Sequence, residues 1–364
     1  MSAIFIGRFL SGFASAVPSV VISGSVEDQF NAEQRVWIVL LWNAAATAGL
    51  AFGPIYASCI CETASWRWIF YSAAIGTALN LLLILGMRES RPSKLLRKKL
   101  TSLSIEYPDA DLKFHSADPF PDLTAFIDVV VIRPSQMMVT EPILIIVSML
   151  SGISWGIIYL FSESITRAYI ALGLDESKAT FPLFALVVGI CIGAIPHIWD
   201  VRHIRNKKRQ KLSIEPEDKL IGFAFGTPAL AIGLWWFYGT TPPSMQQSHW
   251  LLPTAGLVFV GLGVNEIAYT LSGYLTDTYT VYSASAFSGL AFVRALVSGI
   301  MPLIGYTIFD RSQGMLPGFI IAAIATLFCA VPFIFFKLGK ALRLKSGFAK
   351  YSFEVNMRTQ VGEV

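Results

Sequence analysis

Residues 36–86 read VWIVLLWNAAATAGLAFGPIYASCICETASWRWIFYSAAIGTALNLLLILG, two long apolar runs parted by a short hinge that holds Glu62 and Arg67 and no other formal charge. About 20 consecutive apolar residues make a helix that crosses a hydrocarbon layer roughly 30 Å thick, so this stretch predicts two membrane-spanning helices joined by a tight turn. The same kind of run recurs on both sides of it. Windows of about 19 residues give nine predicted spans, near 2–23, 36–58, 67–87, 140–162, 180–200, 219–239, 250–274, 282–304 and 316–337. The first run lacks a basic leader, carries Arg8 inside its apolar stretch and outlasts a secretory signal, so it counts as a span.

The composition agrees. Only 14% of the 364 side chains are charged and 54% are hydrophobic, with a mean hydropathy of +0.59. A soluble globular domain carries about 25% charge, which closes the reading as a water-soluble enzyme. Cys59, Cys61, Cys191 and Cys329 lie in or beside apolar runs, where a thiol behaves as a small hydrophobe, and they assign no redox compartment.

Nine spans put the two ends of the chain on opposite sides. Loops 24–35, 88–139, 201–219 and 275–281 with the tail 337–364 hold 22 Lys and Arg, and the alternate loops hold Arg67, Arg167, Lys178 and Arg311 only. That asymmetry assigns the basic set to the cytoplasm and the amino terminus to the outside. The longest break, 88–139, opens with the basic run RESRPSKLLRKK and continues through IEYPDADLKFHSADPFPD, where Pro and Asp discourage regular structure. The run VRHIRNKKRQK follows in the next cytoplasmic loop. Solvated positive-inside residues account for both, with a phosphoinositide patch as the sharper alternative for the first.

Several motifs now fall in order along the spans. GRFLSGFAS (7–15) lies in the first, GLAFGPIYAS (49–58) in the second, and WRWIFY (66–71) opens the third. ESRPSKLL (89–96) follows the third, RPSQMMVTEPI (133–143) leads into the fourth, PEDKL (216–220) precedes the sixth, and YLTDTYTVYSASA (274–286) joins the seventh to the eighth. In this order they resemble the major facilitator superfamily, and within it the twelve-span drug:proton antiporters of fungi. The resemblance covers most of the chain and implies that its nine spans correspond to the family's fourth to twelfth. The family's first three spans, with the Gly/Asp/Arg signature between the second and third, are not in this sequence. Where the family's antiporter signature usually continues with a glycine pair, this chain has Ala57 and Ser58.

A rocking transporter needs helices that pack closely and slide, and a few buried polar groups that feel substrate or protons. Gly49 and Gly53 stand four apart on one helix face, and Pro54 removes a backbone donor, so this face is expected to take a close helix neighbour. Ala284, Ser288, Ala291, Ala295 and Gly299 make a second small-residue seam, read as structural. Ionisable groups inside lipid are costly and mark function. Arg8 matches the fourth-span arginine to which the resemblance assigns proton coupling or gating. Glu266, after Asn265 and between Gly263 and Tyr269, is the expected titrating carboxyl. Arg294 lies mid-span and needs either a carboxylate, for which Glu266 or Asp277 could serve, or several carbonyls nearby, while Glu141 is expected to cap the fourth span. Trp155, Tyr159, Asn265 and Tyr269 are candidates to line a pocket for a flat hydrophobic compound.

Rival classes lack their marks. His115, His197, His203 and His249 are not clustered in sequence as a metal site, and neither a nucleophile elbow, an HExxH helix nor a nucleotide P-loop is present. The sequence is therefore expected to be an all-α polytopic membrane protein with a major-facilitator-type helical bundle, incomplete in its amino-terminal half. The expected parts are 1–87 as the remnant of an amino-terminal bundle, 88–139 as a cytoplasmic loop, 140–338 as a six-span bundle and 339–364 as a cytoplasmic tail. The expected function is proton-coupled export of a small hydrophobic drug, toxin or secondary metabolite, with no cofactor and no nucleic-acid partner. The protein is expected to be a monomer of the plasma membrane, or otherwise of the vacuole or another internal membrane. The alternative is a truncated relic that carries nothing, or an intact exporter whose start lies further upstream.

Overall fold

The computed structural model of the chain describes residues 2–30, 32–86, 92–106, 123–210, 216–245, 248–311 and 316–361. Every regular element among them is helical, which is what a lipid environment demands of an open chain, since a helix satisfies its own backbone hydrogen bonds. In order they are α1 (Ser2–Gln29), α2 (Ala32–Thr63), α3 (Arg67–Leu85), α4 (Pro92–Glu106), α5 (Leu123–Ile127), α6 (Arg133–Thr140), α7 (Pro142–Ala171), α8 (Phe184–Ile192), α9 (Ala194–Arg209), α10 (Ile221–Thr240), α11 (Leu251–Thr278), α12 (Ser283–Arg311), α13 (Leu316–Phe328), α14 (Val331–Lys345) and α15 (Gly347–Val361). A single π turn, Asp128–Ile132, joins α5 to α6.

Among the described residues eight helical stretches are long and apolar enough to cross a membrane, and the first predicted span contributes the shorter apolar stretch Ile4–Ala16. Two spans are built from two helices each: α8 and α9 meet at Gly193, and α13 and α14 meet at Cys329 and Ala330. Several helices outlast their apolar runs, α7 reaching Ala171 and α14 reaching Lys345. Gly173, with φ of +91°, turns the chain after α7 in the left-handed conformation that closes many helices. The basic run after α3 forms α4, helical because Leu, Lys and Arg favour that state and Pro92 stands at its start. Residues 107–122, where Pro and Asp were expected to discourage regular structure, lie outside the described residues.

α11 is the centre of the packing. It lies against α10 on one side and α8 on the other, with α7, α12 and α2 also touching it. Glycines set this closeness. A methyl group on Gly261 would stand 2.2 Å from the carbonyl oxygen of Leu186 in α8, and one on Gly263 would stand 2.6 Å from the backbone nitrogen of Leu230 in α10. In lipid, where apolar burial does not draw helices together, such backbone contact and its dispersion energy are what association rests on. α12 lies along α7 in the same way, its Val297 and Met301 seated over Gly152 and Gly156. α2 runs along α8, and none of the described residues of α3 is buried, so its apolar side chains face outward.

One end of the bundle is laced by polar contacts. Glu141, at the start of α7, makes no side-chain bond to its own helix, so the expected capping role does not hold. Its carboxylate is buried and accepts from the Tyr279 hydroxyl at 2.8 Å, from the Ser346 hydroxyl and from the Phe348 backbone N–H at 3.1 Å. The reason is geometric: the start of α15 brings two donors to it from across the molecule, where a helix N-terminus favours an anion. Nearby, Arg343 donates to Glu217 at 3.0 Å and Lys219 to Asp277 at 2.5 Å.

Candidate functional site

α9 and α11 meet at a buried polar cluster within the apolar spans. Where α8 ends at Gly193 the chain turns and continues as α9, which carries His197 and Asp200 three residues apart, on one helix face. Glu266 faces them from α11. The His197 ring lies between two carboxylates, with Nε2 3.1 Å from Glu266 Oε1 and Nδ1 3.2 Å from Asp200 Oδ2. His197 and Glu266 have no solvent exposure and Asp200 has 3%. Glycines make the space: a methyl on Gly193 would meet Glu266 Oε1 at 2.7 Å, and one on Gly222 of α10 would meet Oε2 at 2.6 Å and the Thr270 hydroxyl at 2.8 Å.

With both ring nitrogens protonated, the imidazolium can donate to both carboxylates at once, and the ionised triad carries one net negative charge. A charge buried this deeply needs pairing. One further proton, taken by a carboxylate, makes the cluster neutral. Glu266 Oε2 and Asp200 Oδ1 accept no hydrogen bond among the described residues, which leaves each an open position for a proton or a donor. The arrangement is thus able to hold a proton and to exchange it.

Tyr269 joins this cluster to the rest of the molecule. Its ring meets the His197 ring edge-on at 4.1 Å between centroids, and it packs in a small apolar group with Val36 and Leu40 of α2. Asn265, beside Glu266, is fully buried. Two of the four predicted pocket residues, Asn265 and Tyr269, therefore sit with Glu266. The other two sit elsewhere: Trp155 of α7 lies under Arg294 of α12, whose guanidinium carbon is 4.6 Å from the ring centroid, and Tyr159 lies within electrostatic reach of the same arginine. Neither Glu266 nor Asp277 serves as the expected counter-charge of Arg294, because Glu266 is bonded to His197 and Asp277 to Lys219.

Arg8 is exposed, its guanidinium 5.2 Å from the centroid of the Phe70 ring of α3, and it does not approach the cluster. Gly49 and Gly53 face open space beside Pro54, in a groove of about 500 Å³ lined with Phe52, Ile55, Tyr56 and Cys59. A larger apolar groove of about 800 Å³ runs from Pro228 and Cys329 to Trp235 and Trp236 and touches none of these residues. His197 and Asp200 were not predicted. Their signal was an ionisable pair at helical spacing at the end of an apolar run, which a search for clustered metal-ligating histidines passes over.

The sequence has relatives among known proteins. The profile of the Major Facilitator Superfamily matches residues 1–212. The chain is 28% identical over 358 residues to the multidrug transporter FLU1 of Candida albicans, covering 95% of this chain and 57% of that protein. It is 26% identical over 353 residues to the efflux pump FUBT of Fusarium oxysporum, covering 96% and 59%, and 28% identical over 351 residues to the transporter penM of Penicillium rubens, covering 94% and 67%. The chain thus spans just under three fifths of the length of the first two. A helical membrane bundle with ionisable groups held inside it, matched over more than half its length by one family profile, belongs to the Major Facilitator Superfamily.

Proposed function

We propose that the protein is a secondary transporter that exports a small, largely hydrophobic compound in exchange for protons, with Glu266 and His197 as the groups that exchange the proton. The observation that carries this reading is His197 bridging Glu266 and Asp200, all buried, inside apolar spans. Ionisable groups at that depth are expensive unless they serve a pathway. Export is the direction named for the efflux pump FUBT. Tyr269 is the mechanical link, since it touches both His197 and the α2 residues Val36 and Leu40. Protonation changes the charge behind that contact, and so the strength with which α2 seats against α9 and α11.

In this reading residues 1–87 belong to one bundle and 140–338 to the other, joined by the cytoplasmic segment 88–139 and followed by the cytoplasmic tail 339–364. Rocking between the two bundles opens a central site to one side and then the other. Gly49, Gly53 and Pro54 present a face for a neighbouring helix, and Arg8 supplies fixed positive charge beside α3. The transporter works as a monomer in the plasma membrane.

The test is efflux of lipophilic fluorescent dyes of different charge from cells of a pump-deficient yeast that express this chain. Efflux is expected to depend on the proton gradient and to lose that dependence in Glu266→Gln, with membrane insertion unchanged. Asp277→Asn, outside the cluster, is expected to keep it. Efflux that survives collapse of the gradient, gradient dependence that survives Glu266→Gln, or no efflux of any dye would overturn the proposal.

A further inference from the structure

A second charge within the apolar spans lies away from the His197 cluster. Arg294 stands in the middle of the α12 span, and its guanidinium rests on the Trp155 ring of α7. Val297 and Met301, on the adjoining face of α12, are seated against Gly152 and Gly156, so the two helices hold the Arg–Trp pair at a fixed spacing. This cation–π contact uses the charge of the guanidinium and not its five N–H donors, which remain to be given to an acceptor.

The other unpaired groups here are donors too. Trp155 is 8% exposed and its indole N–H has no acceptor among the described residues; Ser298, one turn along α12 from Arg294, is also 8% exposed and its hydroxyl is likewise unpaired. The described acidic residues of this part of the molecule are engaged elsewhere: Glu266 and Asp200 with His197, Asp277 with Lys219, Glu217 with Arg343, and Glu141 with Tyr279, Ser346 and Phe348. No described carboxylate pairs with Arg294. A mid-span cation with free donors around it and no carboxylate partner among the described residues is the complement of an incoming anion, and a guanidinium edge matches the two oxygens of a carboxylate.

We infer that Arg294, Trp155 and Ser298 form a binding subsite for an organic carboxylate with a flat apolar body. The carboxylate takes the guanidinium edge and the Ser298 hydroxyl, and the apolar body lies along Trp155 and Tyr159. That this ligand is the transported substrate rests on the transport reading above; that the subsite binds a carboxylate does not.

The experiment measures equilibrium binding of radiolabelled 2-naphthoate, its neutral amide 2-naphthamide and the cation 2-naphthylmethylammonium to the purified chain in a non-ionic detergent, which supplies no lipid phosphate. The carboxylate is expected to bind about tenfold or more tightly than the amide, with the cation weakest. Arg294→Gln is expected to erase the preference and Arg294→Lys to keep part of it, a point charge replacing a bidentate fork. Equal binding of amide and carboxylate, no binding of carboxylate, or a preference that survives Arg294→Gln in folded protein would overturn the inference. The comparison of ligands on the unsubstituted chain decides the question even where Arg294→Gln fails to fold. Carboxylate preference without gradient-driven efflux of naphthoate would sink the transport reading and keep the subsite. Gradient-driven dye efflux without carboxylate preference would do the reverse.

Discussion

Removing the Glu141 carboxylate takes the shared acceptor from the Tyr279 and Ser346 hydroxyls and the Phe348 N–H. Each buried donor left unpaired costs roughly 1–3 kcal/mol, so Glu141→Ala is expected to lower the unfolding temperature in detergent well below that of Tyr279→Phe, which deletes one donor and leaves the carboxylate bonded. Equal melting of the two variants would show that the three bonds do not act on stability. At this scale the sequence was informative about which residues matter and much less about what they touch. Glu266 and Arg294 stand out because a charge inside an apolar run is rare and costly. Their partners do not, because Glu266 meets His197 across 69 residues of chain and Arg294 meets an aromatic ring in place of a carboxylate.

Among the helices, closeness is set by glycines on α11 and its neighbours. Gly261→Ala would drive a methyl group into the Leu186 backbone, which cannot rotate away as a side chain can. Overpacking of this kind costs about 1–3 kcal/mol or more, so the substitution is expected to lower thermal stability in detergent, whereas Gly299→Ala, which faces open space, is expected to leave the melting temperature unchanged. Both Gly49–Gly53 and the seam ending at Gly299 have the small-residue spacing that predicts close packing, yet among the described residues nothing approaches Gly49, Gly53 or Gly299. Spacing shows that a helix has a smooth face. It does not show which helix uses that face, and the pairs that do meet, such as Gly261 with Leu186, carry no motif.

For the whole molecule, the basic loops predict that α4 faces the cytoplasm and the turn after α7 faces outward. With Cys59, Cys61, Cys191 and Cys329 replaced by Ser, a cysteine placed at Ser102 is expected to react with a membrane-impermeant maleimide only after permeabilisation, and one placed at Lys178 in intact cells. The opposite pattern would invert the topology. The positions of the apolar runs were legible in the chain by itself, because crossing a hydrocarbon layer is a demand each segment meets alone. The His197–Glu266–Asp200 cluster and the contact of Arg294 with the Trp155 ring were decided only by tertiary structure. Both depend on how far each helix is rotated about its axis and how near its neighbour lies. Those quantities follow from backbone contacts such as those at Gly193, Gly222 and Gly156, and they exist only once the helices have met.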